Sequence, residues 1–238
     1  DGLNKFDGYN FTIYNSKPQK KKSGLSNRIL TIREDKWGYI WVKTYDEIVY
    51  RVNPSTEELQ QVVNPDGSVL EEKIDEMYVL SSGKVWLSTF GHELLVVHTD
   101  AETHALSFER FSYPGKKQQG RNTYQVVEDS QKTTWILSDG GLCAIDSLGK
   151  SVCYFESLPV YSMVENTRRI VFGAKDQLIL YDKQNMNFMQ AQLPVSGNVR
   201  LINAVGAGKY VFTIEGKGFM TYDAAREEWK HYSTATHP

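Results

Sequence analysis

An aromatic residue set in a short, β-prone segment recurs five times along the chain, at Trp41, Trp86, Trp135, Phe172 and Phe212. The steps are 45, 49, 37 and 40 residues, the length of one propeller blade, and neither a sandwich nor a barrel has such a period. The physical logic is burial. One four-stranded sheet cannot cover both of its own faces, whereas sheets stacked side by side cover each other. The repeated Trp and Phe residues therefore read as core between blades rather than as ligand-stacking groups.

The intervening sequence supports this period. Segments such as ILTI, YIWVKT, KVWLST, TWILS and KYVFTI are rich in β-branched and aromatic residues, and turn-formers bound them. Turns are expected at Asn64 to Gly67, Ser81 to Lys84, Ser138 to Gly141 and Gly206 to Lys209. An apolar residue follows each aromatic by six to eight positions (Ile48, Leu94, Leu142, Leu178, Phe219), as a strand, tight turn and strand require. A second signature ends in Asp at Leu3-Phe6-Asp7, Leu142-Ile145-Asp146, Leu178-Tyr181-Asp182 and Phe219-Tyr222-Asp223. This Asp is expected to cap a turn through its own side chain, not to act as a catalytic carboxylate.

The fold class expected is all-β: a β-propeller segment of four-stranded antiparallel blades, about five plus an N-terminal partial blade. The blades fall near 24–63, 73–111, 122–156, 160–194 and 199–233, with the partial blade at 1–15. That count does not close on itself, so the chain reads as one propeller region taken from a longer protein. Two blade faces left uncovered would make it prone to self-association.

With 27 Lys and Arg against 29 Asp and Glu, no overall charge pulls the chain toward nucleic acid or an anionic membrane. No run of 18 apolar residues is present to span a bilayer, and the chain opens at Asp1 without a basic and apolar leader, so neither a membrane span nor a signal peptide is expected in this segment. Cys143 and Cys153 flank a turn-like SLGK segment. They form a cross-strand bridge if both side chains face one way, and stand as separate thiols otherwise. His92-Glu93 followed by His98 lacks the helical four-residue spacing of a zinc protease. The Asn10-Phe11-Thr12 sequon is a short match of little weight. No catalytic residue, metal site or cofactor is expected.

The stretch Gly24 to Asn53, GLSNRILTIREDKWGYIWVKTYDEIVYRVN, resembles the two-component-regulator propeller repeat, with its Leu-Ser-Asn start, a strand ending in Glu-Asp, then Trp and Thr. Arg121 to Ile145 resembles a second copy, carrying Glu128-Asp129, Trp135 and the Asp139-Gly140-Gly141-Leu142 turn. The other three blades lack the Glu-Asp pair, and the last two also lack the Trp. The resemblance implies a parent similar to the hybrid two-component sensors of Bacteroides-type bacteria. In such a parent a periplasmic propeller region detects polysaccharide breakdown products, and an inner-membrane anchor and histidine kinase lie elsewhere. It further implies an oligosaccharide ligand, contact with the rest of the parent sensor, and a homodimer. No direct contact with nucleic acid or membrane is expected of this segment.

A ligand is expected on the blade face that carries the second-to-third-strand turns. Candidate contacts there are Tyr45, Phe90 and His92, with Lys116, Lys117 and Arg121 on a basic loop. Asp46, Asp139, Lys175, Asp176, Glu215 and Lys217 are expected on the same face, along with a lysine-rich connection from Lys17 to Arg28. The basic loops suit sulfate or carboxylate groups of an acidic glycan, although such loops are more often simply solvated. The alternatives are an extracellular propeller enzyme acting on a carbohydrate or lactone, and a protein-interaction scaffold.

Overall fold

The computed structural model describes the chain except for residues 1, 15–25, 27, 65, 69, 100–105, 115–120, 207 and 234–238. The described residues form a β-propeller segment: one two-stranded hairpin and five four-stranded antiparallel meanders, without a helix. The chain divides into two compact units, residues 1–112 and 113–238. The first contains the hairpin β1 (Leu3–Phe6) and β2 (Phe11–Tyr14). Its blade one comprises β3 (Ile29–Glu34), β4 (Ile40–Thr44), β5 (Val49–Val52) and β6 (Leu59–Gln61). Blade two comprises β7 (Ile74–Val79), β8 (Val85–Thr89), β9 (Leu94–Thr99) and β10 (Leu106–Arg110).

The second unit contains three blades. Blade three is β11 (Thr123–Glu128), β12 (Thr134–Ser138), β13 (Gly141–Ile145) and β14 (Ser151–Tyr154). Blade four is β15 (Val160–Glu165), β16 (Arg169–Ala174), β17 (Gln177–Asp182) and β18 (Asn187–Gln192). Blade five is β19 (Val199–Gly206), β20 (Lys209–Ile214), β21 (Gly218–Asp223) and β22 (Glu228–Tyr232).

Burial occurs between neighbouring blades, as the repeat requires. In the first unit Trp41 and Val49 pack with Ile74, Met77, Leu87 and Leu95, while Val42, Tyr50 and Val52 on the other face of blade one receive Leu3 of the hairpin. In the second unit Trp135, Leu137 and Leu142 pack with Ile170, Phe172 and Ile179. The far face of blade four puts Val171, Leu178 and Leu180 against Val199, Ile202, Tyr210 and Phe212. Each such side chain contributes roughly 1.5 to 3 kcal/mol when withdrawn from water.

The five repeated aromatics are not all equivalent. The last residue of each second strand pairs with the start of the first: Thr44 with Ile29, Thr89 with Ile74, Ser138 with Thr123, Ala174 with Val160, and Ile214 with Val199. Three residues back from these lie Trp41, Trp86, Trp135, Val171 and Val211. Phe172 and Phe212 thus sit one residue further on, and a one-residue step in a strand reverses the face. Trp135 accordingly faces blade four, whereas Phe172 faces blade three, and their rings meet at 5.1 Å. All five aromatics are core, but the two Phe residues fill it from the opposite side.

The Glu-Asp of the repeat has a direct structural use. Asp35 Oδ2 accepts the indole N–H of Trp41 at 2.8 Å, and its Oδ1 accepts the backbone N–H groups of Trp37 and Tyr39. Asp129 does the same for Trp135, Gln131 and Thr133. One carboxylate ties the first turn of a blade to its core indole. The second signature also caps turns: Asp7, Asp146, Asp182 and Asp223 each accept two backbone N–H groups just downstream. Between blades three and four, Glu165 accepts from Ser130 and pairs with Lys183 at 2.8 Å. Burial alone would push its carboxyl up, but Lys183 and Ser130 outweigh burial and hold it below the usual carboxylate range.

Cys143 on β13 lies directly opposite Cys153 on β14, and the two form a disulfide. The bridge spans 10 residues, so removing it as the double alanine variant should cost roughly 2 to 3 kcal/mol on a chain-entropy basis. Urea unfolding of the oxidised and double-variant proteins would measure this difference. Equal midpoints would show that the pair contributes nothing.

Candidate functional site

Every blade carries a register shift at the same place, near the start of its first strand. It falls between Ile29 and Thr31, Ile74 and Glu76, Thr123 and Gln125, Val160 and Ser162, and Val199 and Leu201. A bulge of this kind leaves one residue out of the ladder and re-aims its side chain. The residues left out are Leu30, Asp75, Tyr124, Tyr161 and Arg200. The last three, one from each blade of the second unit, converge.

The Tyr124 and Tyr161 rings lie 4.8 Å apart, and the Arg200 guanidinium sits 4.2 Å above the Tyr161 ring and 5.4 Å from that of Tyr124. Arg200 Nε donates to Glu215 Oε2 at 3.2 Å, and the same oxygen accepts from Asn198 Nδ2 at 2.9 Å. Asn198 Oδ1 in turn accepts the Tyr161 hydroxyl at 3.0 Å. The turns from second to third strand border this group. They supply Asp139, whose carboxylate accepts from Asn122, and Asp176, which accepts from the Ser196 hydroxyl and the Gly197 N–H.

Burial pushes both phenols up, and nearby acids add to it: Asp139 for Tyr124, and Glu215 and Asp176 for Tyr161, with Arg200 opposing in each case. Glu215 is held below the usual carboxylate range by its hydrogen bond from Asn198 and then by Arg200. The result is a half-buried aromatic pair fixed by a hydrogen-bonded frame, with carboxylate and amide oxygens around it. Chemically it can stack on the apolar face of a flat ring and bond to hydroxyls at the ring's edge.

The residues singled out from sequence are distributed differently. Tyr45 and Phe90 stand exposed at the corresponding turns of blades one and two, and the Arg28 guanidinium lies 4.5 Å over the Tyr45 ring. His92 occupies a left-handed turn position, φ 63°, where blade one has Glu47 at 66°. No ring contact or hydrogen bond joins Tyr45, Phe90 and His92 among the described residues. Arg121 belongs to the second unit, where it lies over Tyr113 at 4.6 Å and donates to the Gly140 carbonyl. Lys116 and Lys117, and the lysines of 17–22, lie outside the described residues. Sequence reasoning missed Tyr124, Tyr161 and Arg200 because they sit inside strands and look like ordinary alternating positions. The signal that could have found them is their shared offset at the second residue of the first strand.

No protein-family model matches the chain, and no curated protein matches it. Among solved structures it is similar to the extracellular domain of BT3049 from B. thetaiotaomicron, named as a hybrid two-component system, at a TM-score of 0.60 and 18% identity. That match covers 98% of this chain and 32% of the other. PorZ of Porphyromonas gingivalis, a surface component of the type-IX secretion system, is matched at 0.59 and 16% identity over 83% of this chain and 32% of the other. The Dos1 propeller is matched at 0.59 and 12% identity over 87% of this chain and 59% of the other. The chain spans about a third of the length of the two-component domains it matches. At these identities the likeness establishes the fold, the β-propeller expected from the repeat.

Proposed function

We propose that this chain is part of a ligand-sensing propeller region, held in the periplasm by the inner-membrane anchor of a longer hybrid two-component sensor. In this reading it takes a sugar ring of a polysaccharide breakdown product on Tyr124 and Tyr161. The observation that carries it is the convergence of three bulge residues, one per blade, into a framed aromatic pair. The likeness to extracellular domains of two-component systems supports the sensor setting. Signalling would pass to a kinase elsewhere in the parent, in the context of a homodimer.

The frame favours a neutral sugar over an acidic one. Arg200 already faces Glu215, while Asp139 and Asp176 add negative charge to the rim. Calorimetric titration with a panel of neutral hexose and pentose oligosaccharides is the test. Tyr161→Ala and Tyr124→Ala should each weaken the best binder by about tenfold, the loss of one stacking contact. The reading fails if no member of the panel binds at millimolar concentration, or if the double variant binds as well as the original. Turnover of a panel member would replace it with the enzymatic alternative.

A further inference from the structure

The opposite strand ends of the second unit carry a separate cleft, of about 610 Å³, between blades four and five. Its size falls within the range of small-molecule sites. The turn from β15 to β16 and the first residue of β16 supply Asn166, Thr167 and Arg169, and the facing ends of β19 and β20 with their turn supply Gly206, Gly208 and Tyr210. A side chain built at either glycine would meet nothing within 4 Å.

Asn166 organises the site. Its Oδ1 accepts the backbone N–H groups of Arg168 and Arg169, and its Nδ2 donates to the fully buried Tyr210 hydroxyl at 2.8 Å. The two arginines then differ. Arg168 is neutralised by Asp182 at 2.9 Å. Arg169 is half-buried, and its guanidinium makes no hydrogen bond or ion pair among the described residues. No Asp or Glu stands among the described lining residues.

A guanidinium with no acid partner at the wall of a cleft is free to take one, and its planar fork matches the two oxygens of a carboxylate or phosphate. We infer that this cleft is a second binding site, one that takes the oxyanion group of a small ligand on Arg169. Arg168 contributes little, because Asp182 already holds it. The Thr167 hydroxyl, exposed at the rim, is the second polar group available to the same ligand. The site shares no residue with the aromatic pair, so the two stand or fall separately.

The test uses inorganic phosphate and glucuronate as probes, with glucose as the neutral control, in calorimetric titrations of the whole chain. One or both anions should bind in the millimolar range or tighter, any heat from glucose should survive Arg169→Gln because it reports the aromatic pair, and the tighter anion identifies phosphate or carboxylate as the group recognised. Arg169→Gln should weaken binding by about tenfold or more, Arg169→Lys by less, and Lys150→Gln, on an exposed turn of blade three, should leave it unchanged. Raising the salt from about 50 to about 300 mM should weaken it further. Backbone amide shifts of the unmodified protein give a readout independent of the variants, and the perturbed signals should include Gly206, Gly208 and Arg169. Absence of binding by both anions, an Arg169→Gln variant that binds as before, or shifts confined to the Tyr124 end would each overturn the assignment.

Discussion

Asp129→Ala is expected to lower the unfolding free energy by roughly 3 to 4 kcal/mol, the largest effect of any single polar substitution in the second unit. Three donors converge on this one carboxylate: the buried Trp135 indole N–H and the backbone N–H groups of Gln131 and Thr133. Alanine removes three charge-assisted hydrogen bonds and leaves the buried indole N–H without its acceptor. Asp129→Asn should fall between the two. Its amide oxygen can still serve the turn, but its NH₂ then confronts the indole N–H as a second donor. Urea unfolding measures all three proteins. A loss below about 1 kcal/mol for Asp129→Ala would show that the carboxylate contributes little beyond its own desolvation cost.

Blade two provides the natural counter-experiment. Leu80 holds the place of Asp35 and Asp129: its N–H bonds to the Lys84 carbonyl, and its carbonyl accepts from Gly83, the same turn as in blades one and three. Without a carboxylate there, the buried Trp86 Nε1 has no hydrogen-bond partner among the described residues. Leu80→Asp forfeits an apolar side chain worth roughly 1.5 to 3 kcal/mol and gains a partner for the indole and the turn, so the change should lie within about 1 kcal/mol of neutral. The same substitution at Leu87, fully buried in the apolar cluster between blades one and two, should unfold the protein.

These turns show which parts of the structure the sequence encodes openly. Blade length, strand type and the turn-capping Asp depend on local chemistry, so Trp41, Trp135 and Asp146 can be read from spacing, and Asp129 from the resemblance to the repeat. The face a residue takes is different. It depends on the bulge that resets each first strand, and nothing local in Tyr124 or Arg200 marks them as the residue left out of the ladder. Phe172 looks like the counterpart of Trp135 and yet fills the core from the other side, because it lies one residue further along its second strand. The disulfide lay between these cases: the turn between Cys143 and Cys153 was visible, but their shared face followed only from the register. The Arg169 cleft needed two turns 40 residues apart, which no local pattern connects.

Gly173→Ala should cost about 3 kcal/mol or more, although a glycine in the apolar run RIVFGA looks like a weak strand residue that alanine would improve. Gly173 has an ordinary strand conformation, so conformational freedom is not its purpose. It is needed for space. A methyl group built there would lie 2.4 Å from Ser162 Oγ, 2.5 Å from Val199 Cγ1 and 2.7 Å from the Val199 carbonyl oxygen. Those groups join blades four and five, since Ser162 Oγ donates to the Val199 carbonyl at 2.9 Å. The serine can escape only by giving up that bond, and the carbonyl oxygen can move only by shifting β19, the strand that presents Arg200. Gly173→Ala should therefore also disturb the Tyr161–Arg200 contact, seen as a change in the tyrosine ring signals. Gly91→Ala is the control: it lies at a turn, with Thr89 Oγ1 at an ordinary 3.5 Å, and should change stability by less than about 0.5 kcal/mol. If the two variants unfold at the same urea concentration, the close approach of blades four and five at Gly173 is not what holds them together.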